Sequence, residues 1–145
     1  MFPGLADPAL YLYINRPPPA SLAALEESFR SRERGASPDG SERWLNWAAL
    51  RKTDARYVGR FEATLRRDRT AEIGYIVLTP FMRKGYAREA NRAVIEHLFD
   101  EHDVQTVVAN VDVRNEASWR LLETLGMTRV ATEGGDYRYE LRRAG

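Results

Sequence analysis

The chain has 145 residues, of which 43% are hydrophobic and 30% are charged, a composition typical of one soluble globular domain. Its 22 basic residues nearly balance 21 acidic ones, so net charge gives no argument for binding nucleic acid or a membrane, and the lack of cysteine excludes disulfides, thiolate metal ligands and a cysteine nucleophile. No apolar run approaches the ~20 residues of a membrane span, and the start does not read as a signal peptide, so we expect a soluble, cytoplasmic protein.

The first forty residues predict a helical segment. Residues 9–14 (ALYLYI) are apolar and fit either a short strand or a helical turn, before the prolines at 17–19 end them. Ser21 can then cap a helix that runs to about Arg34, and a loop rich in glycine and serine follows. Within a single domain over 1–145 we therefore separate a helical segment, 1–41, from a sheet-bearing core, 42–145.

The core region alternates between strand patterns and helix patterns, which is typical of an α/β fold. Gly126 stands at the usual stop position of one predicted helix, and the sequence EGGD at 133–136 predicts a tight turn between the last two strands. The predicted strands are 44–50, 57–65, 71–78, 106–113, 127–132 and 137–142, and the predicted helices run from Gly85 to about Asp100 and over 115–125.

The stretch from 71 to 100 predicts an anion site. An apolar strand feeds a basic turn, and the turn opens a helix whose first backbone N–H groups have no partners inside the helix. Gly85 lets the backbone approach a ligand closely, and Arg83, Lys84 and Arg88 surround it with positive charge. We therefore expect a phosphate- or diphosphate-bearing ligand here. The alternative is an ordinary exposed turn, and the lack of Walker and GxGxxG patterns argues against nucleotides and dinucleotides.

Two motifs in this region resemble a known family. The run MRKGYA at 82–87 resembles the pyrophosphate loop, Gln/Arg-x-x-Gly-x-Gly/Ala, of the GNAT superfamily of acyl-CoA N-acyltransferases. Within that superfamily, EIGYIVLTP followed by RKGYAREA is similar to the RimJ/RimL-type protein-alanine acetyltransferases, and VDVRNEASWRLLETLGM is a second match. Met82 departs from the pattern, because Gln or Arg is expected at that position.

The resemblance implies a fold and a reaction. The expected fold is α/β: a mixed, mostly antiparallel sheet, splayed where the central strand meets the following one, with helices on both faces. Acetyl-CoA would be the cosubstrate, without a metal, and residues 1–41 would frame the acceptor, a protein N-terminal α-amine or a small-molecule amine. The family's first strand is either supplied by 9–14 or missing. If it is missing, an unpaired sheet edge would favour self-association.

The resemblance also implies site residues. Asn115 and Ser118 match the family's Asn-x-x-Ser, although an asparagine there is equally the cap of a helix. The expected cofactor contacts are Ile76, Val77 and Leu78 for the pantetheine arm, Arg83, Lys84, Gly85, Tyr86, Ala87 and Arg88 for the diphosphate, and Asn115 for the arm. A non-catalytic CoA-binding regulatory or interaction module remains the alternative function.

Two residues are candidates for catalysis. Ser118 would protonate the departing thiolate, although it also fits a first-turn helix serine. Glu72, at the start of the central strand, would be the general base, acting directly or through a water, although it also fits a surface glutamate at a strand edge. The two histidines, His97 and His102, have no carboxylate cluster at ligand spacing, so we interpret both as structural or surface residues.

Overall fold

Six strands and two α-helices make up the described part of the chain, residues 36–144 of the computed structural model. In chain order they are β1 (Glu42–Leu50), β2 (Tyr57–Arg66), β3 (Thr70–Val77), α1 (Tyr86–Glu101), β4 (Thr106–Asp112), α2 (Glu116–Thr124), β5 (Thr128–Glu133) and β6 (Asp136–Arg142). A short 3-10 helix, Thr79–Phe81, follows β3. The elements predicted for the core are confirmed, with ends shifted by one or two residues. The strand or turn predicted at 9–14 and the helix predicted at 21–34 lie outside the described residues.

The strands form one sheet in the order β1-β2-β3-β4-β6-β5. Every neighbouring pair is antiparallel except β3 and β4, which run parallel because α1 carries the chain back across the sheet between them. The mixed, mostly antiparallel α/β sheet predicted from the sequence is therefore confirmed. Neither described helix combines the length and apolar character that a membrane span requires.

The sheet splays in its middle. Only three residue pairs join β3 to β4, from Thr70 opposite Thr106 to Glu72 opposite Val108. Beyond them β3 stays paired with β2 as far as Val77, and β4 stays paired with β6 as far as Asp112. The second halves of the two central strands therefore part, as predicted, and leave a gap that we call the β3–β4 gap.

Both described helices contact the same face of the sheet. Trp47, Phe61 and Tyr75 lie opposite one another on β1, β2 and β3, so their side chains share a face. The ring of His97, from α1, meets Trp47, and the Ser118 hydroxyl, from α2, hydrogen-bonds to Tyr75. The prediction of helices on both faces also depends on residues before 36, which are outside the described part.

Gly59 of β2 is required by packing against β3. A Cβ built there would stand 2.3 Å from the carbonyl oxygen of Ile76 and 3.0 Å from the Cα of Val77, both parts of the backbone. We expect Gly59→Ala to lower the free energy of unfolding by roughly 2 kcal/mol, measured by urea denaturation.

The control for this variant is Gly74→Ala on β3. A Cβ at Gly74 would meet only the side chain of Glu62, at 3.2 Å, and that side chain can rotate away. The loss of stability should therefore be less than half as large. Equal losses for the two variants would contradict the packing argument.

Candidate active site

The turn between β3 and α1 presents unpaired backbone amides. Gly85 is the N-cap of α1 with φ of 83°, in the left-handed region, and no side chain caps the helix. The first intrahelical bond runs from the Glu89 N–H to the Gly85 carbonyl, at 3.1 Å, so the amides before Glu89 have no partner in the helix. A Cβ at Gly85 would meet none of the described residues within 4 Å. The turn therefore opens toward free space that a ligand can fill.

The turn is also positively charged. Arg83, Lys84 and Arg88 are exposed, and among the described residues none of the three forms an ion pair. Arg83 itself has φ of 60°, which holds the turn in an unusual backbone conformation. Met82 is 41% exposed and brings no charge or strong hydrogen-bonding group to the turn. The positive charge of the turn suits an anion, and it comes from the arginine and lysine side chains, since Met82 carries no charge.

A buried amide lies near the start of α1. Asn91 is 1% exposed, and its Nδ2 has no hydrogen-bond partner within the described part of the chain. It stands one helical turn after Ala87 on the same side of α1, and helical side chains lean toward the N-terminus of their helix. Because buried donors are nearly always paired, this amide calls for an ordered water or a ligand atom. The sequence analysis missed Asn91, which reads there only as a polar interruption of an amphipathic helix.

The end of β3 directs backbone groups into the β3–β4 gap. The Leu78 N–H donates to the Val58 carbonyl of β2, at 2.8 Å, and backbone groups of successive strand residues point to opposite sides. Ile76 and Leu78 therefore bond toward β2, whereas Tyr75 and Val77 direct their N–H and C=O groups toward β4, beyond the last β3–β4 pair. Of the three predicted arm contacts, Val77 is the one whose backbone faces the gap.

The side chains of Tyr75 and Ser118 meet on the α2 side of this gap. Their hydroxyl oxygens are 2.7 Å apart. Burial raises the pKa of Tyr75, although the hydrogen bond to Ser118 opposes the shift, so the phenol is neutral at physiological pH. A neutral phenol can donate to the Ser118 oxygen and leave the serine proton for another acceptor. The sequence analysis missed Tyr75; its only signal was a hydroxyl-bearing ring in a strand of mostly aliphatic residues.

Asn115 caps α2. Its side-chain oxygen accepts a hydrogen bond from the Ser118 N–H at 3.3 Å, so the structural role considered in the sequence analysis is confirmed. The side-chain nitrogen donates to no described residue, which leaves two N–H groups for a ligand. The cap also fixes Ser118 in the first turn of α2, and it thereby links the two halves of the Asn-x-x-Ser motif.

Glu72 lies apart from Tyr75 and Ser118. It lies three residues before Tyr75, about 10 Å along β3, and strand alternation puts its side chain on the opposite face. Arg66 donates to Glu72 at 3.1 Å and to Glu42 at 3.3 Å. Glu72 therefore belongs to an ion-pair cluster at the closed end of the sheet, and its role as general base stays a prediction.

The two histidines connect β1 to α1. The Arg43 guanidinium lies 2.9 Å from Nδ1 of His102, and Nε2 of His102 lies 3.1 Å from Nε2 of His97. Within residues 36–144 no group of three or more His, Cys, Asp or Glu side chains is arranged to hold a metal ion. The pair is thus a hydrogen-bonded connection between elements, in line with the structural interpretation.

We expect this connection to make stability depend on pH. Burial first, then the charges of His97 and Arg43, lowers the pKa of His102 below its usual 6.5, although Glu101 opposes the shift. The folded protein therefore favours neutral His102, and its contribution is present above pH ~6.5 and lost as the pH falls below that value. The urea concentration at the unfolding midpoint should decrease as the pH is lowered from about 7.5 to about 5. This decrease should be smaller in His102→Gln. An unchanged slope in the variant would contradict this account.

Comparison with known proteins shows which family the chain resembles. Residues 2–128 match the model of a family described as an acetyltransferase (GNAT) domain. An uncharacterised N-acetyltransferase of Bacillus subtilis (strain 168), YoaA, is 28% identical over 108 residues, which are 73% of this chain and 61% of the relative. A second one, YnaD, is 34% identical over 62 residues, 43% of this chain and 36% of the relative. The matched stretches thus span less than two thirds of each of these relatives.

Solved structures share the fold. A spermidine N-acetyltransferase from Vibrio cholerae, solved in complex with CoA and spermine, superposes with a TM-score of 0.80 at 18% identity, covering 97% of this chain and 86% of that one. An acetyltransferase of the GNAT family from Bacillus anthracis also gives 0.80, at 20% identity, with 98% and 86% covered. At these identities the likeness shows the fold alone.

Proposed function

The chain belongs to the GNAT family of acetyltransferases, and on that basis we propose that it moves the acetyl group of acetyl-CoA to a primary amine. The observation that carries the proposal is that the β3–β4 gap is continuous with the N-terminus of α1. The β3–β4 gap, with backbone groups of Tyr75 and Val77 along one side, leads at the end of β3 to the uncapped start of α1. A long ligand with a diphosphate at one end and an amide-bearing arm at the other fits that shape.

Binding divides between the two features. The amides of Gly85 and the first turn of α1, with the nearby cations, would hold the diphosphate, because a helix N-terminus favours negative charge. The pantetheine arm would pair with the backbone of β3 at Val77 in the manner of an added strand. Asn115 would donate to the arm from its free side-chain nitrogen.

The reaction requires no covalent enzyme intermediate. The nitrogen of a neutral amine attacks the thioester carbon, the carbon–nitrogen bond forms, and the carbon–sulfur bond breaks. A backbone amide at the end of β3 would stabilise the negative charge on the carbonyl oxygen. Ser118 would give its proton to the sulfur while Tyr75 donates to the serine oxygen, so that CoA leaves as a thiol. The amine loses a proton to a base or to water.

The proposed acceptor is an amine that is partly neutral at physiological pH. A lysine side chain with a pKa of ~10.4 is only about 0.04% neutral at pH 7, whereas an α-amine with a pKa of ~8 is about one tenth neutral. An α-amine, as in RimJ/RimL-type enzymes, therefore tolerates a weak or distant base such as Glu72. A polyamine is the second candidate, because the Vibrio cholerae structure with the same fold is of a spermidine N-acetyltransferase.

The experiment is a thiol-release assay with acetyl-CoA and a panel of amines that includes N-terminal peptides and polyamines, with mass spectrometry of the products. We expect amine-dependent thiol release and one added acetyl group per product. The alternative function, a non-catalytic CoA-binding module, is favoured by the methionine at position 82. CoA binding without turnover on any amine would support that alternative and contradict the enzymatic proposal.

A further inference from the structure

The turn between β1 and β2 packs against the segment that leads into α1. The guanidinium carbons of Arg51 and Arg56 lie 5.1 and 5.4 Å from the centre of the Phe81 ring. Phe81 is only 4% exposed, and its ring meets that of Tyr86 at 6.2 Å. Two arginines from a distant part of the sequence thus cover the 3-10 helix next to the diphosphate turn.

Asp54 holds Arg51 in place over the Phe81 ring, which contacts Tyr86. The Arg51 side chain donates to both carboxylate oxygens of Asp54, from Nε at 3.0 Å and from Nη2. The hydrogen bonds to Asp54 raise the pKa of Arg51. Tyr86 is the first residue of α1. Its ring contacts Phe81, so the Phe81 ring connects Tyr86 to the arginine of the β1–β2 turn.

Arg56 also lies over the Phe81 ring, and the Asp54 carboxylate attracts it without forming an ion pair with it. The Arg56 backbone N–H donates to Asp54 at 3.2 Å, but its side chain forms no ion pair with any described residue and is exposed. The guanidinium lies over Phe81, one residue from Met82. A planar guanidinium is well suited to two hydrogen bonds with a phosphate group, and a methionine offers none.

We propose that the β1–β2 turn is part of the diphosphate site, with Arg56 donating to a phosphate of coenzyme A in place of the polar side chain missing at position 82, and with Arg51 positioning the loop through its packing on Phe81, which contacts Tyr86. The inference rests on the proposed function. It assigns a phosphate-binding role to the turn, which lies outside both motifs of the sequence.

The first test measures the dissociation constant of coenzyme A by calorimetry. Arg56→Gln should weaken binding about tenfold, and the loss should shrink at high salt. Lys52→Gln is the matched control, because it removes the same charge from an exposed position on the same turn and should change affinity less than about twofold. Equal losses of affinity in the two variants would overturn the proposal, because they would show that Arg56 acts only through its charge and not through a contact with the phosphate.

The second test separates a positioning role from a structural one. Arg51→Gln and Arg56→Gln should raise KM for acetyl-CoA and leave kcat within about twofold of wild type. With acetyl-pantetheine, which lacks the diphosphate, KM should also stay within about twofold of wild type. Equal losses with both thioesters would overturn the proposal. Arg56→Gln keeps the Arg51–Asp54 contacts, so it remains decisive if Arg51→Gln unfolds. A wild-type protein that neither binds coenzyme A nor uses either thioester would instead overturn the proposed function.

Discussion

Gly85→Glu is expected to weaken coenzyme A binding at least about 100-fold. The variant places a carboxylate where we propose that the diphosphate lies, so like charges meet, and its side chain fills the space that the glycine leaves open. The loss of several charge-assisted hydrogen bonds from the first turn of α1 adds to this repulsion. Calorimetric titration of the variant with coenzyme A measures the effect.

Two further glycine variants show whether the effect is local. Gly85→Ala tests the backbone alone, since its φ of 83° strains any side chain, and it should lose less affinity than Gly85→Glu. Gly40→Glu adds the same charge at another glycine with positive φ, 72°, and open space around it, but in the loop before β1. It should bind coenzyme A as wild type does. Tight binding by Gly85→Glu would exclude this turn as the diphosphate site.

Ser118→Ala is expected to lower kcat about 100-fold while changing the affinity for acetyl-CoA less than about twofold. The proton that the serine gives to the departing sulfur matters only as the carbon–sulfur bond breaks, so its loss acts on the transition state and not on cofactor binding. Steady-state kinetics together with calorimetry on the variant separate the two quantities.

The neighbours of Ser118 provide the comparison variants. Tyr75→Phe removes the partner that donates to the serine oxygen, and it should lower kcat in the same direction but less than Ser118→Ala. Thr124→Ala removes a hydroxyl from the other end of α2, where it donates to the Leu121 carbonyl at 2.6 Å, and it should keep wild-type kcat. Equal losses of turnover and cofactor affinity in Ser118→Ala would contradict a proton-donating role.

Local patterns explain why the strands and helices could be predicted. Alternating side chains, punctuation by glycine and the cap at Asn115 are properties of a few neighbouring residues, and they place the elements from Glu42 onward to within two residues. The splay between β3 and β4 came from the family resemblance, because no local pattern shows where a strand pair stops.

Contacts between distant parts of the sequence could not be predicted in this way. Tyr75 and Ser118 are 43 residues apart, and their hydrogen bond exists only because α2 packs on the face of β3 that bears Tyr75. The packing of Arg51 and Arg56 on Phe81 likewise joins residues that are far apart in the sequence. The distance of Glu72 from this region likewise follows from register and face, which one sequence does not fix.

The most direct test of the account follows backbone amides during titration with coenzyme A, by nuclear magnetic resonance on the ¹⁵N-labelled protein. If the start of α1 binds the diphosphate and β3 binds the arm, the largest shifts will fall on Gly85, Tyr86, Ala87 and Arg88, with a second group at Tyr75 and Val77. Saturable binding that leaves these amides unmoved, or no binding at millimolar coenzyme A, would contradict the account.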